Sequence, residues 1–120
     1  MPTFGNVPDV ARVLIVEPHA DVRALLEIVV TRLGHEAVVQ SSSELDRAVD
    51  AAIIEPGEGF GLEVAQRLHD FHVPLVFASI YPPSNETVVL APVAYLVKPF
   101  ALYALEHALE DALAETPAAV

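Results

Sequence analysis

The sequence predicts a three-layer α/β domain: a doubly wound, five-stranded parallel sheet with helices on both faces. Three observations carry this. Short unbroken aliphatic runs alternate with stretches whose apolar residues recur at helical spacing, and the connections between them are short. A strand covered on both faces reads as a continuous apolar run, whereas a half-exposed strand alternates. Short crossovers between parallel strands are right-handed and place helices on both sides of the sheet.

Arg12-Val13-Leu14-Ile15-Val16 is the first such run. From Asp21 to Leu33, Val22, Leu25, Leu26, Val29, Val30 and Leu33 form one helical stripe, and Gly34 follows as a stop. Glu36-Ala37-Val38-Val39-Gln40 is the second strand, after which Ser41-Ser42-Ser43-Glu44 offers capping groups for a stunted helix ending near Val49. Ala51-Ala52-Ile53-Ile54 is the third strand. The loop Pro56-Gly57-Glu58-Gly59 leads to a helix from about Leu62 to His69, with Leu62, Ala65 and Leu68 inward. Pro74-Leu75-Val76-Phe77-Ala78 is the fourth strand. Ser84 caps a short helix through Leu90 that Pro92 must end, and Ala94-Tyr95-Leu96-Val97 is the fifth strand. Leu102, Leu105, Leu109 and Leu113 give a last helix from Ala101 to Glu115. One domain over residues 11–115 is expected, with tails at 1–10 and 116–120 and shortened second and fourth helices.

Composition narrows the function classes. Lys+Arg 6 against Asp+Glu 17 leaves a net charge of −11, which repels nucleic-acid phosphates and anionic lipid. Direct nucleic-acid binding and membrane attachment are therefore not expected. With no cysteine, disulfides, thiol nucleophiles and thiolate metal sites are excluded. The start, Met1-Pro2-Thr3-Phe4-Gly5-Asn6, shows no export signal, and the longest apolar run, Val88 to Val97, is too short to span a bilayer and is broken by Pro92. A cytoplasmic protein is expected.

In a doubly wound fold the functional crevice lies beyond the carboxyl ends of the strands. Glu17 and Pro18 follow the first strand, Glu55 the third, Ser79 the fourth, and Lys98-Pro99 the fifth. Two carboxylates, a hydroxyl and an ammonium would converge there. Taken in order, Val13-Leu14-Ile15-Val16-Glu17, Ile53-Ile54-Glu55, Gly61-Leu62-Glu63-Val64, Phe77-Ala78-Ser79 and Tyr95-Leu96-Val97-Lys98-Pro99-Phe100 resemble the receiver domain of bacterial response regulators. The resemblance to this CheY-like, flavodoxin-like family covers roughly residues 11 to 114.

The resemblance implies a defined chemistry. In the family an acidic pair after the first strand holds Mg²⁺, and an Asp after the third accepts phosphoryl from a histidine kinase. A Ser or Thr and a Lys grip the phosphoryl oxygens, since transfer needs charge neutralisation and a nucleophile at fixed reach. Ser79 and Lys98 match, and Glu17 matches one acid of the pair. Pro18 stands where the second acid is expected, and a pyrrolidine ring cannot ligate a cation. Glu17 and Glu55 are then weak metal candidates at best, and no cofactor is expected. Glu55 replaces the Asp acceptor. One added methylene moves the nucleophile by about 1.5 Å, and a misplacement of about 1 Å can cost about a hundredfold. Tyr95 matches the aromatic that moves with the Ser or Thr, so Ser79 and Tyr95 are the candidate switch, and the Lys98-Pro99 peptide is expected to be cis.

The resulting expectation is an atypical receiver, a pseudo-receiver in two-component or phosphorelay signalling, that acts through protein contacts and is not an enzyme. Its partner would be a histidine kinase, an output regulator or a second copy. The alternative is a phosphorylatable receiver with Glu55 as acceptor and a weakened Mg²⁺ site. A flavin-type site is disfavoured, because Glu17-Pro18-His19 would repel an anion. Three readings of Glu55 stay open: a structural ion pair with Lys98, a permanent imitation of the phosphorylated state, and slow residual phosphorylation. His19 is placed to donate to Glu17 or Glu55, and Glu58 to replace the lost acid. His69 and His72 read as solvated, as does the stripe Glu106, Glu110 and Asp111.

Overall fold

Five parallel strands pair in the order β2-β1-β3-β4-β5. They are β1 (Arg12–Val16), β2 (Glu36–Val39), β3 (Ala51–Ile54), β4 (Leu75–Ser79) and β5 (Ala94–Val97). The four helices found among the described residues are α1 (Ala20–Arg32), α2 (Gly61–Asp70), α3 (Asn85–Val88) and α4 (Leu102–Ala114). The computed structural model describes residues 10–40 and 48–114. The tails predicted at both ends, Val10 apart, and the capping segment Ser41-Ser42-Ser43-Glu44 lie outside the described residues, as does Glu115.

Side-chain alternation explains the unbroken apolar runs. In β1, Val13 and Ile15 join a core shared with α1 and α4, whereas Leu14 and Val16 join a second core on the α2 face. β3 and β4 divide the same way: Ala51, Ile53, Val76 and Ala78 go to one side, and Ala52, Ile54, Leu75 and Phe77 to the other. With both faces covered, the central strands are apolar except at their ends, Arg12 in β1 and Ser79 in β4. The edge strands β2 and β5 are partly open, and Val39 and Val97 are exposed.

The helices depart from their predicted stripes in instructive places. α1 buries Leu26, Val29 and Val30, but Leu25 is exposed. Neighbouring residues differ by about 100° around a helix, and Leu25 falls on the outer border of a stripe wider than the contact. Gly34, at φ +88°, turns the chain out of α1, a left-handed conformation that glycine adopts without steric cost. α2 buries Val64 together with Ala65 and Leu68, while Leu62 is only half-buried. In α4, Leu105, Leu109 and Leu113 enter the core, and Leu102, in the first turn, stays exposed.

α3 is a single turn, four residues long. Ser84 and Thr87 form its capping box: the Ser84 hydroxyl accepts from the Thr87 N–H at 3.3 Å, and the Thr87 hydroxyl accepts from the Ser84 N–H at 2.8 Å. The helix stops at Val88, short of the predicted Leu90. Ala91 adopts φ +47° before Pro92, so the proline and the preceding left-handed turn together leave no room for a second turn.

Candidate functional site

The register of the sheet brings distant parts of the chain to one rim. Val16 pairs with Ile54, and Ser79 with Val97, so Glu17, Glu55, Ser79 and Lys98 all lie at the carboxyl ends of their strands. The Lys98 N–H donates to the Ser79 carbonyl at 2.8 Å, and the Lys98-Pro99 peptide is cis. From β5 the Lys98 side chain reaches past β4 to the ends of both β3 and β1.

Its ammonium binds two carboxylates. Lys98 Nζ donates to Glu17 Oε1 at 2.6 Å and to Glu55 Oε1 at 3.1 Å. Both acids are buried, Glu17 at 3% and Glu55 at 1% exposure. Their remaining oxygens are also engaged: Glu17 Oε2 accepts the His19 N–H and Glu55 Oε2 accepts the Gly57 N–H, each at 3.0 Å. A buried charge costs several kcal/mol unless paired and hydrogen-bonded, and here each carboxylate has both. Burial acts to lower the Lys98 pKa, but the bonds to Glu17 and Glu55 and their charges together outweigh it, so the ammonium sits above its ordinary 10.5.

Two glycines make this packing possible. A Cβ on Gly61 would lie 1.9 Å from the Glu55 carbonyl oxygen, so only glycine lets the start of α2 close on the end of β3. A Cβ on Gly57 would meet the Tyr81 ring at 2.5 Å and Glu55 Oε2 at 3.3 Å. The Tyr81 ring therefore covers the turn that feeds an N–H to Glu55.

The remaining predicted residues make contacts around this cluster. The Ser79 hydroxyl is fully buried and accepts from the Tyr81 N–H at 3.1 Å; neither oxygen of Glu55 bonds to it. The Tyr95 ring packs edge-on to Phe77, with centroids 5.9 Å apart, and its hydroxyl donates to the Tyr81 carbonyl at 2.8 Å. Ser79 and Tyr95 thus meet through the Tyr81 backbone. The His19 ring turns away from Glu17 and Glu55: its Nε2 lies 3.1 Å from Glu58 Oε2. This pair joins the β1–α1 loop to the β3–α2 loop. Glu58 is engaged with His19 there. Pro18 is exposed, and Arg23 Nη1 donates to the Glu17 carbonyl at 3.0 Å.

Sequence reasoning missed the contributions of Gly57 and Tyr81. The signal for the first was present in Glu55-Pro56-Gly57, an acid followed two residues later by a glycine, which can return its N–H to the carboxylate. Among the described residues no three His, Asp or Glu side chains are grouped so as to hold a metal ion, and no helix is long and apolar enough to cross a membrane.

No family model matches the chain, and neither does any curated protein. Solved structures do. The signal receiver domain of a modulated diguanylate cyclase from Desulfovibrio desulfuricans G20 superposes with a TM-score of 0.78 at 27% identity, covering 90% of this chain and 97% of that one. The CheY-like receiver domain protein from Methanospirillum hungatei JF-1 gives 0.78 at 16% identity, covering 89% and 96%. The chain has the response-regulator receiver fold. The Vibrio cholerae chemotaxis protein CheY4 agrees, at a TM-score of 0.73 and 17% identity over 86% of this chain and 98% of that one. The 2-1-3-4-5 strand order is the one that places a receiver's crevice at the β1/β3 switch point. Glu17 and Glu55 sit at that point.

Proposed function

We propose that the chain is a pseudo-receiver: a signalling module of two-component or phosphorelay type that works through protein contacts without ordinary aspartyl phosphorylation, and is not itself an enzyme. The observation that carries this reading is the state of Glu55. The residue at the acceptor position is a glutamate with one oxygen on the Lys98 ammonium and the other on the Gly57 N–H. Both oxygens are held by donors within the chain, and the extra methylene displaces them from the place an aspartate's oxygens would take. The Mg²⁺ that such transfer uses in receivers is poorly accommodated as well. Pro18 offers no ligating atom in its side chain, and each of the four oxygens of Glu17 and Glu55 already accepts a hydrogen bond within the chain.

Of the three readings of Glu55, the structural ion pair has the most support, since Glu55 bonds to Lys98 and not to Ser79. The partner is a protein: a histidine kinase, an output regulator or a second copy. A net charge of −11 disfavours nucleic acid and anionic membrane, and the setting is cytoplasmic. The test is intact-mass spectrometry after incubation with acetyl phosphate and Mg²⁺. Unchanged mass is expected. A gain of one phosphoryl group that disappears in Glu55→Gln would overturn the reading in favour of a working glutamyl acceptor.

A further inference from the structure

A cavity of about 290 Å³ lies between the start of α2 and the single turn of α3, lined chiefly by Pro56, Leu62, Tyr81, Pro82, Glu86 and Tyr95. It takes in none of the charged groups of the ionic cluster. Its aromatic wall is held in place: the Tyr81 N–H donates to the Ser79 hydroxyl at 3.1 Å, and the Tyr81 carbonyl accepts from the Tyr95 hydroxyl at 2.8 Å. The Tyr81 ring also rests on Gly57. Even so, Tyr81 is 48% exposed, which leaves about half of it open to a partner.

The charge of the cavity has one sign. Of the described residues that line it, Glu86 is the one carboxylate and none is basic. Glu86 is exposed and forms no ion pair with any described residue. In a chain of net charge −11, such a place draws a cation and repels an anion.

We propose that this cavity is a docking socket for an arginine side chain of a protein partner. A guanidinium is planar and stacks on aromatic rings, whose quadrupole attracts it, and Tyr81 and Tyr95 supply two such rings. The arginine stem is apolar and covers apolar surface while its charge reaches a carboxylate, a division matched by Pro56, Leu62 and Pro82 on one side and Glu86 on the other. Size fits as well. Pockets for drug-sized ligands run from about 300 to 1,000 Å³, so this cavity suits one long side chain better than a cofactor. A lysine ammonium, compact and strongly hydrated, gains less from the rings.

The socket rests on the proposed role in protein contacts and gives the partner its chemistry, yet the two fail separately. A chain phosphorylated at Glu55 that also binds arginine overturns only the pseudo-receiver reading. An unphosphorylated chain whose cavity is indifferent to arginine overturns only the socket.

The test is an NMR titration of the full chain with the capped peptide acetyl-Gly-Arg-Gly-amide, following the Tyr81 and Tyr95 rings and the Glu86 amide. The matching citrulline peptide serves as a neutral copy of the same shape. A single side chain binds weakly, so a Kd on the order of a millimolar is expected, with saturable shifts centred on these three residues. The citrulline peptide should bind about tenfold more weakly, and Glu86→Gln and Tyr81→Leu should each weaken arginine binding about two- to fivefold. Both variants replace exposed side chains, and an otherwise unchanged amide spectrum shows that the fold is kept. Equal binding of the two peptides overturns the proposal. So do shifts scattered over the acidic surface that Tyr81→Leu leaves unmoved, or no shift at Tyr81 and Tyr95 at about ten times the expected Kd.

Discussion

At the residue scale the pocket is a small ionic cluster in which each partner needs the others. Without the Lys98 ammonium, Glu17 and Glu55 would be two buried carboxylates with no counter-charge, and breaking a buried pair from one side typically costs about 3–5 kcal/mol. Lys98→Met should therefore lower the unfolding free energy, read from urea denaturation at pH 7, by that order. The pH dependence has a definite sign. Because the folded-state pKa of Lys98 lies above 10.5, folding keeps a proton that the unfolded chain releases first. The contribution is complete below pH 10.5 and is lost as pH rises from there through the raised folded value. Urea unfolding between pH 9 and 12 should show a declining alkaline limb in the native protein that is smaller in Lys98→Met; equal limbs would contradict the assignment. Much of this was legible beforehand. The strand-end rule picks out Glu17, Glu55, Ser79 and Lys98 without any coordinates. It does not say which pairs close, and the shortest bond, Lys98 to Glu17, was not the pair foreseen. Nor does it reveal that His19 turns to Glu58, because side-chain direction in a loop depends on neighbours far along the chain.

At the element scale the glycines at the start of α2 separate two kinds of close contact. Gly61→Ala would drive a Cβ into the Glu55 backbone carbonyl, and backbone cannot step aside as a side chain can. Gly57→Ala meets chiefly the Tyr81 ring, which is partly exposed and can swing. Gly61→Ala should cost at least the 1–3 kcal/mol or so usual for overpacking, and Gly57→Ala clearly less. Parallel chemical denaturation of the two variants measures the difference, and equal costs would show that α2 can retreat from β3. The elements were legible wherever burial imposed a simple pattern. The central strands are readable because both faces are covered. Leu25 and Leu102 mislead, since helical periodicity marks a candidate stripe but not where its contact with the sheet ends. α3 was legible from its boundaries, Ser84 at one end and Pro92 at the other; its stop at Val88 depends on the turn at Ala91, which no residue type announces.

At the scale of the whole molecule, the receiver fold and the residues at its crevice have separate requirements. Strand order and the two cores require only apolar residues in the strands and helices, and they place whatever stands at positions 17, 55, 79 and 98 at one rim. The fold therefore does not depend on which side chains stand at that rim, and a sheet of this order accommodates Glu55 and Pro18 there. Ser79 and Tyr95 remain joined through the Tyr81 backbone, but nothing in the Glu55 hydrogen bonds pulls on Ser79. In the proposed pseudo-receiver each carboxylate oxygen of this pocket is hydrogen-bonded within the chain, and the pocket does not switch. The measurement that tests it most directly is a two-dimensional amide NMR titration, first with Mg²⁺ and then with beryllofluoride, following Glu55, Ser79 and Tyr95. A self-satisfied pocket predicts no saturable shifts at these residues in a well-folded protein. Saturable shifts that spread from Glu55 through Ser79 and Tyr95 into β5 and α4 would contradict it and establish a working receiver.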